Sequence, residues 1–249
     1  MVLREHLLDL LSEKEKKKNN KITGDNLMKI VVRIICVMVG YVFGLLQTGY
    51  LYGKMKNVDI REFGSGNSGT TNCMRVLGKK AGMITFLGDA LKGLFCGILI
   101  WLVCIYALDY SKECTFVYVL YGGLGVVLGH NYPFYMGFKG GKGIAATSGV
   151  VASLLDWKLT LLIAVVFFVV LMMSKYVSLG SMCLTTAFFI YIVIMGNLSK
   201  LPVTSSDLLL ETYILVFIFT GLSIFKHRSN ISRIIQGTER KIGQKKENI

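Results

Sequence analysis

Six apolar runs, at about 30–52, 81–107, 116–136, 159–174, 177–196 and 207–225, constrain this chain more than any motif in it. Each is close to the ~20 residues that an α-helix needs to cross a hydrocarbon core of ~30 Å. Backbone amides left unpaired in lipid are too costly, so such runs become helices. A seventh run, 144–155, is too short for a full span. At ~1.5 Å per residue it covers about half of the core, and it reads as a partial or strongly buried helix opening at the glycine loop 140–143. The expected fold is an all-α membrane protein, a polytopic bundle of about seven transmembrane or partial helices. Composition agrees: of 249 residues, 53% are hydrophobic and 17% charged, with a mean hydropathy of +0.56.

The net charge of +13 cannot lie in hydrocarbon, so it concentrates at the interfaces, and no nucleic-acid partner is needed to explain it. Three regions follow: a basic N-terminal arm over 1–29, surface-bound or disordered; a membrane domain over 30–226; and a basic C-terminal segment over 227–249. The six cysteines are scattered and read as small apolar residues. An odd number of crossings puts the two ends on opposite sides, and the basic tail marks its side as cytoplasmic. Loops 53–80 and 137–143 and the turn at 175–178 then share that side with the tail. By the same count the basic N-terminal arm falls outside, against the charge rule.

Three polar patches meet on the cytoplasmic side. The first, Gly64-Ser-Gly-Asn-Ser-Gly-Thr-Thr-Asn-Cys-Met-Arg75, has the G-x-G-x-x-G spacing of a dinucleotide loop but neither the preceding strand nor the soluble α/β domain that would give it that meaning. Its small residues expose amides, and Arg75 adds a planar bidentate cation suited to phosphate. Gly64, Gly66, Asn67 and Asn72 are candidate binding residues here, with Ser65 and Arg75 as candidates for chemistry. The second patch, Gly129–Gly143, sets His130, Lys139, Gly140, Gly141 and Lys142 before the short helix, where free amides, a helix dipole and point charges suit an anion. His130 is either site or scaffold. Gly143 stands where a Walker loop needs Ser or Thr, so this is no nucleotide loop. In the third, Lys226–Glu239, His227 and Asn230 are three apart on one helical face. Asp89 and Lys92, deep in the second run, can pair at i, i+3, either as functional charges or as bundle organisers.

Together the patches resemble the three motif regions of the bacterial membrane glycerol-3-phosphate acyltransferases that use acyl phosphate, the PlsY family, from about residue 40 to 243. Gly64–Arg75 is similar to G-S-G-N-x-G-A-T-N-x-x-R, with Thr70 for Ala. Gly129–Gly143 is similar to G-H-x-F-P…F-K-G-G-K-G, with Tyr132 for Phe. Residues 226–239 are similar to R-H-x-x-N-I-x-R…G-T-E, with Lys226 for Arg. Leu45-Leu46-Gln47 replaces a usual Ser-Ile-Pro.

The resemblance implies a seven-helix bundle in the bacterial inner membrane with its site facing the cytoplasm, and Ser65, Arg75, Lys142, Ser178, His227 and Asn230 as site residues. It implies acyl transfer from acyl phosphate to the 1-hydroxyl of glycerol 3-phosphate, giving lysophosphatidic acid and inorganic phosphate, with no cofactor and no metal. The partners are the two substrates, membrane lipid and the enzyme that makes acyl phosphate. The residues themselves suit this chemistry, since a mixed anhydride with a good leaving group needs two anions held close and an aimed hydroxyl. No His is followed four residues later by Asp, so the proton goes to a substrate phosphate oxygen or to His227. The rival classes are a membrane carrier of organic phosphates and a magnesium-dependent head-group transferase. The nearly charge-free outer halves of the spans argue against the first, and the scattered aspartates against the second.

Overall fold

The computed structural model describes residues 27–244, and the N-terminal arm up to residue 26 lies outside them. The chain divides into two compact units, Met1–Ile35 and Cys36–Ile249. Of the first, the described part is helical, the start of α1 (27–44). The second holds α2 (Thr48–Met55), α3 (Thr70–Leu77), α4 (Lys79–Leu102), α5 (Lys112–Asn131), α6 (Ile144–Ser153), α7 (Trp157–Ser174), α8 (Val177–Asn197), α9 (Ser206–Lys226) and α10 (Arg228–Ile235). No strand is present among the described residues. Among the described residues, six stretches are long and apolar enough to cross a membrane, and Ile144–Ser153 is a shorter apolar helix beside them. The bundle of about seven transmembrane or partial helices is as expected.

From α4 to α9 the chain alternates between two faces. One carries a cavity lined by the ends of α3, α5, α8 and α9, and the other a second cavity lined by Trp101, Leu154, Trp157 and Lys200. Helix α6 joins both: Ile144 lines the first cavity and Leu154, just past its last turn, the second. Ten residues rise only about 15 Å. The short helix still connects the faces because the chain between α5 and α6 turns back into the bundle, where the Gly140 and Gly141 amides donate to the carbonyls of Asn131 and His130 at 3.2 and 3.1 Å.

Helix α5 is the axis of the bundle, buried on nearly every side, whereas α7 leaves Leu161, Phe168 and Met172 on the outer surface. A helix apolar all round belongs in an interior of this kind. Small residues let neighbours approach it and one another, since helices in lipid associate by close packing rather than by a hydrophobic gradient. Cβ atoms on Gly40 and Gly125 would lie 1.9 Å from the Gly122 oxygen and 2.1 Å from the Val37 oxygen, so α1 and α5 touch backbone to backbone. Helices α4 and α6 do the same, with a Cβ on Gly149 falling 1.8 Å from the Ala90 oxygen.

Helix α1 ends where Leu45-Leu46-Gln47 interrupts the first apolar stretch. The freed carbonyls are taken by buried side chains: Lys92 Nζ donates to the oxygens of Leu46 and Gly44 at 2.6 and 3.3 Å. Gln47 Nε2 donates to the Gly44 and His130 oxygens at 3.2 and 3.0 Å. Lys92 also pairs with Asp89 at 3.0 Å, so this charge pair organises the bundle.

Gly149→Ala should drive a methyl group into the Ala90 carbonyl, an overpacking of about 1–3 kcal/mol. Thermal unfolding in detergent should show a lowered Tm. Gly221→Ala, whose added methyl meets nothing within 4 Å, should leave Tm unchanged or higher.

Candidate active site

The three polar patches converge on one cavity of about 470 Å³. In the first, left-handed backbone at Gly64 (φ 66°) and Gly66 (φ 70°) turns the chain. Asn72, buried beneath, holds the turn: its Oδ1 accepts from the Ser65 amide at 2.8 Å, and its Nδ2 donates to the Ile60 and Phe63 oxygens at 3.0 and 2.9 Å. A Cβ at Gly64 would sit 2.2 Å from that Oδ1. Asn67 accepts from the Gly69 amide at 3.0 Å. These bonds place Ser65 on the cavity wall and start α3 beside it, with Arg75 in the last turn of α3 also lining the cavity.

Lys142 reaches the cavity from the glycine loop and donates to Asn230 Oδ1. Burial, with Arg233, Arg75 and Lys226 nearby, lowers its pKa to about 8 against the opposing pull of Glu239. Arg75 is lowered too, first by desolvation and then by Arg240. His227 is 2% exposed. Its Nδ1 lies 2.8 Å from the Ser223 carbonyl. A carbonyl only accepts, so Nδ1 carries the proton and Nε2 keeps a lone pair. Burial, reinforced by the charge of Lys142, lowers the His227 pKa to about 4.

Glu239 binds the third patch together. Its Oε1 accepts from Ser178 Oγ at 2.8 Å and Asn230 Nδ2 at 2.6 Å, and its Oε2 from Arg233 Nε at 2.8 Å. Burial raises its pKa, and the hydrogen bonds from Asn230, Arg233 and Ser178 outweigh this and leave it below the usual carboxylate value. With Asn230 tied to both Glu239 and Lys142, its amide orientation is set: the nitrogen faces the carboxylate and the oxygen the ammonium.

Eleven of the residues singled out in the sequence line the cavity: Gly64, Ser65, Asn67, Asn72 and Arg75 from the first patch, His130 and Lys142 from the second, Ser178, His227 and Asn230, and Asp89 from the intramembrane pair. Gly66, Lys139, Gly140 and Gly141 are not among its lining. Lys139 is exposed. Gly140 and Gly141 seat the loop against α5, where their Cβ atoms would lie 2.1 Å from the His130 oxygen and 2.0 Å from its Nε2. The cavity also draws in Arg233, Thr238, Glu239 and Arg240. Of these, Arg233, Thr238 and Glu239 fall inside the third motif, where a lone acid among basic residues was the available signal.

The electrostatic balance is cationic. Arg75, Lys142, Arg233 and Arg240 face the carboxylates of Asp89 and Glu239, and both carboxylates are already engaged by protein donors. The N-terminal residues of α3 (Thr70, Thr71), α6 (Ile144, Ala145) and α8 (Val177, Ser178) line the same space, and helix N-termini favour anions.

A polytopic helical membrane protein hollowed at one face by a cation-lined cavity is the class that fold and site define. A model of the glycerol-3-phosphate acyltransferase family matches residues 34–237. The glycerol-3-phosphate acyltransferase of Clostridioides difficile is 39% identical over 225 residues, covering 88% of this chain and all of that protein. The corresponding Staphylococcus aureus enzyme is 38% identical, covering 84% and 97%. A crystal structure of PlsY, an integral membrane glycerol 3-phosphate acyltransferase, in its glycerol 3-phosphate form superposes with a TM-score of 0.71 at 32% identity, covering 85% of this chain and 96% of that one. Its lysophosphatidic acid form gives 0.68. The chain belongs to the glycerol-3-phosphate acyltransferase family, the PlsY family of integral membrane acyltransferases.

Because His227 titrates near 4 in the fold against 6.5 when free, the unfolded chain takes up its proton first as pH falls. Its contribution to stability is complete above pH 6.5 and is lost between about 6.5 and 4. Lowering the pH from 6.5 to 5 should cost about 2 kcal/mol through this residue. Tm measured across that range should fall in the wild type and fall less in His227→Gln. Glu239, lowered from 4.5, adds its own loss only below about pH 4.5.

Proposed function

We propose that this protein transfers the acyl group of an acyl phosphate to the 1-hydroxyl of glycerol 3-phosphate, releasing lysophosphatidic acid and inorganic phosphate at the start of membrane phospholipid synthesis. The observation that carries this is the gathering of Arg75, Lys142, Arg233 and Arg240 with three helix N-termini around one cavity of about 470 Å³. That is more positive potential than a single phosphate needs, and enough for two held side by side.

In this reading the glycerol hydroxyl oxygen attacks the acyl carbonyl carbon, the carbon–oxygen bond to phosphate breaks, and phosphate leaves with the electron pair. The cations and amides offset charge on both anions, and holding them together supplies the proximity. His227 Nε2 accepts a hydrogen bond from the hydroxyl and aims it. The proton ends on the departing phosphate, whose second ionisation lies near pH 6, above the value of about 4 at which His227 titrates. No covalent intermediate on the protein is required. The site faces the cytoplasm of a bacterial cell, with the basic ends of loop 53–80 and of the C-terminal segment on that side. The enzyme that makes acyl phosphate is then a natural neighbour.

Phosphate release from acyl phosphate by the purified protein should depend on glycerol 3-phosphate; release that ignores it, or transport without acylation, would overturn the assignment. Arg75→Ala and Lys142→Ala should each lose about 1.5–3 kcal/mol of transition-state stabilisation, roughly ten- to a hundredfold in kcat/KM. Arg75→Lys should also be poor, for want of the bidentate fork. The two cavity carboxylates already answer to Lys92, Ser178, Asn230 and Arg233, so activity should persist in excess chelator. Acyl-coenzyme A should not replace acyl phosphate.

The acid limb of the rate profile, set by phosphate, should keep its midpoint near pH 6 in His227→Gln while the rate drops throughout. A midpoint that moves with the substitution would make His227 the proton acceptor. For orientation, a cysteine introduced at Ser205 should react with an impermeant reagent outside intact cells and one at Ser65 should not. The reverse pattern would invert the topology.

A further inference from the structure

On the face opposite the substrate cavity, the ends of α4 and α8, the start of α5 and the α6–α7 turn enclose a second cavity of about 600 Å³. Its walls include Phe116, Leu154, Leu159, Ile192 and Leu201, and three lysines stand at its edge: Lys112, Lys158 and Lys200. None of the three is in an ion pair among the described residues. The local acids are occupied. Asp156 accepts from the amides of Lys158 and Leu159 at 3.0 and 3.1 Å and from the Tyr191 hydroxyl at 2.7 Å, capping α7. Glu113 accepts from the Thr204 hydroxyl. Trp101 also lines the cavity, with its indole nitrogen turned into the protein and buried from solvent.

We propose that this second cavity seats the head group of an anionic phospholipid from the leaflet opposite the substrate cavity. Its phosphate would lie among the three ammonium groups, and the first part of its chains would run along the apolar wall. Three cations without carboxylate partners among the described residues call for a guest that carries net negative charge. The apolar wall distinguishes a lipid from free phosphate, which would gain nothing from Phe116 or Leu201. The position, at the far end of α4 and beside the exposed ring of Trp157, is that of the membrane–water interface, where Trp and Lys anchor spans. The site is independent of the proposed reaction, since none of these residues lines the substrate cavity.

Native mass spectrometry of the full chain released from detergent provides the test, with phosphatidylglycerol, phosphatidylcholine of the same chains, and inorganic phosphate as probes. The wild type should retain one phosphatidylglycerol, about tenfold more strongly than phosphatidylcholine. Lys112→Gln/Lys158→Gln/Lys200→Gln should abolish that preference without altering turnover in the acylation assay. Equal retention of the two lipids by the wild type, or equal retention of phosphatidylglycerol by wild type and triple variant, would overturn the proposal. Displacement of the bound lipid by millimolar inorganic phosphate would assign the site to a free anion instead.

Discussion

Every backbone carbonyl released at membrane depth needs a donor from the protein, because hydrocarbon supplies none. The cavity in this fold exists only because that requirement is met at two broken helices. Where α1 stops, Lys92 and Gln47 cap its carbonyls. Where α5 stops, the amides of Gly140 and Gly141 cap the oxygens of His130 and Asn131, and Lys226 Nζ reaches Asn131 O as well at 3.1 Å. The two repairs meet at His130, whose Nδ1 lies 2.8 Å from Lys92 Nζ and whose oxygen also accepts from Gln47. An ammonium group buried this deeply would be prohibitive alone. Asp89 at 3.0 Å neutralises it, and Asp89 is itself part of the cavity wall, so the scaffold charge and the site share a residue.

A cavity lined by four cations repels itself when no substrate is present, and Glu239 offsets that repulsion from within. Its carboxylate does so without filling the anion positions, since both of its oxygens point to Ser178, Asn230 and Arg233. Lys142 remains at the edge of ionisation, with a pKa of about 8. An incoming phosphate would raise that value by favouring the charged form. In the proposed reaction, cation and substrate charge would thereby reinforce each other at the moment of binding.

The apolar runs made the spans legible because hydrocarbon thickness sets their length, and the partial helix 144–155 was legible for the same reason. The three motifs were legible as parts of one polar cavity because glycine, amide and cation occur there at spacings that lipid-facing helix does not need. What single residues do within them was less visible. Asn72 and Gly141 shape loops through contacts to Ile60, Phe63 and His130 that no local spacing announces. The role of Lys92 depends on the end of a different helix, so sequence showed the Asp89–Lys92 pair but could not separate a functional charge from a structural one. The Leu45-Leu46-Gln47 departure likewise acquires meaning only in space, where Gln47 supplies donors to three carbonyls.

The length of α6 follows from where the chemistry sits. A full-length helix after α5 would return through the whole bilayer and leave the Lys142 ammonium at the surface, in water, where its attraction for phosphate is screened. The re-entrant glycine loop instead starts α6 about 15 Å from the opposite face, roughly the middle of a ~30 Å core. The N-terminus of α6 then points its dipole into a partly dry cavity, beside Asp89, a carboxylate that α4 carries to similar depth. Close approach of α4 to α6 through Gly93 and Gly149 brings these two helices together at that level. The glycines that allow the loop to turn and those that allow the helices to touch therefore serve one end, which is to hold charge at a depth where it acts strongly while leaving no backbone group unpaired.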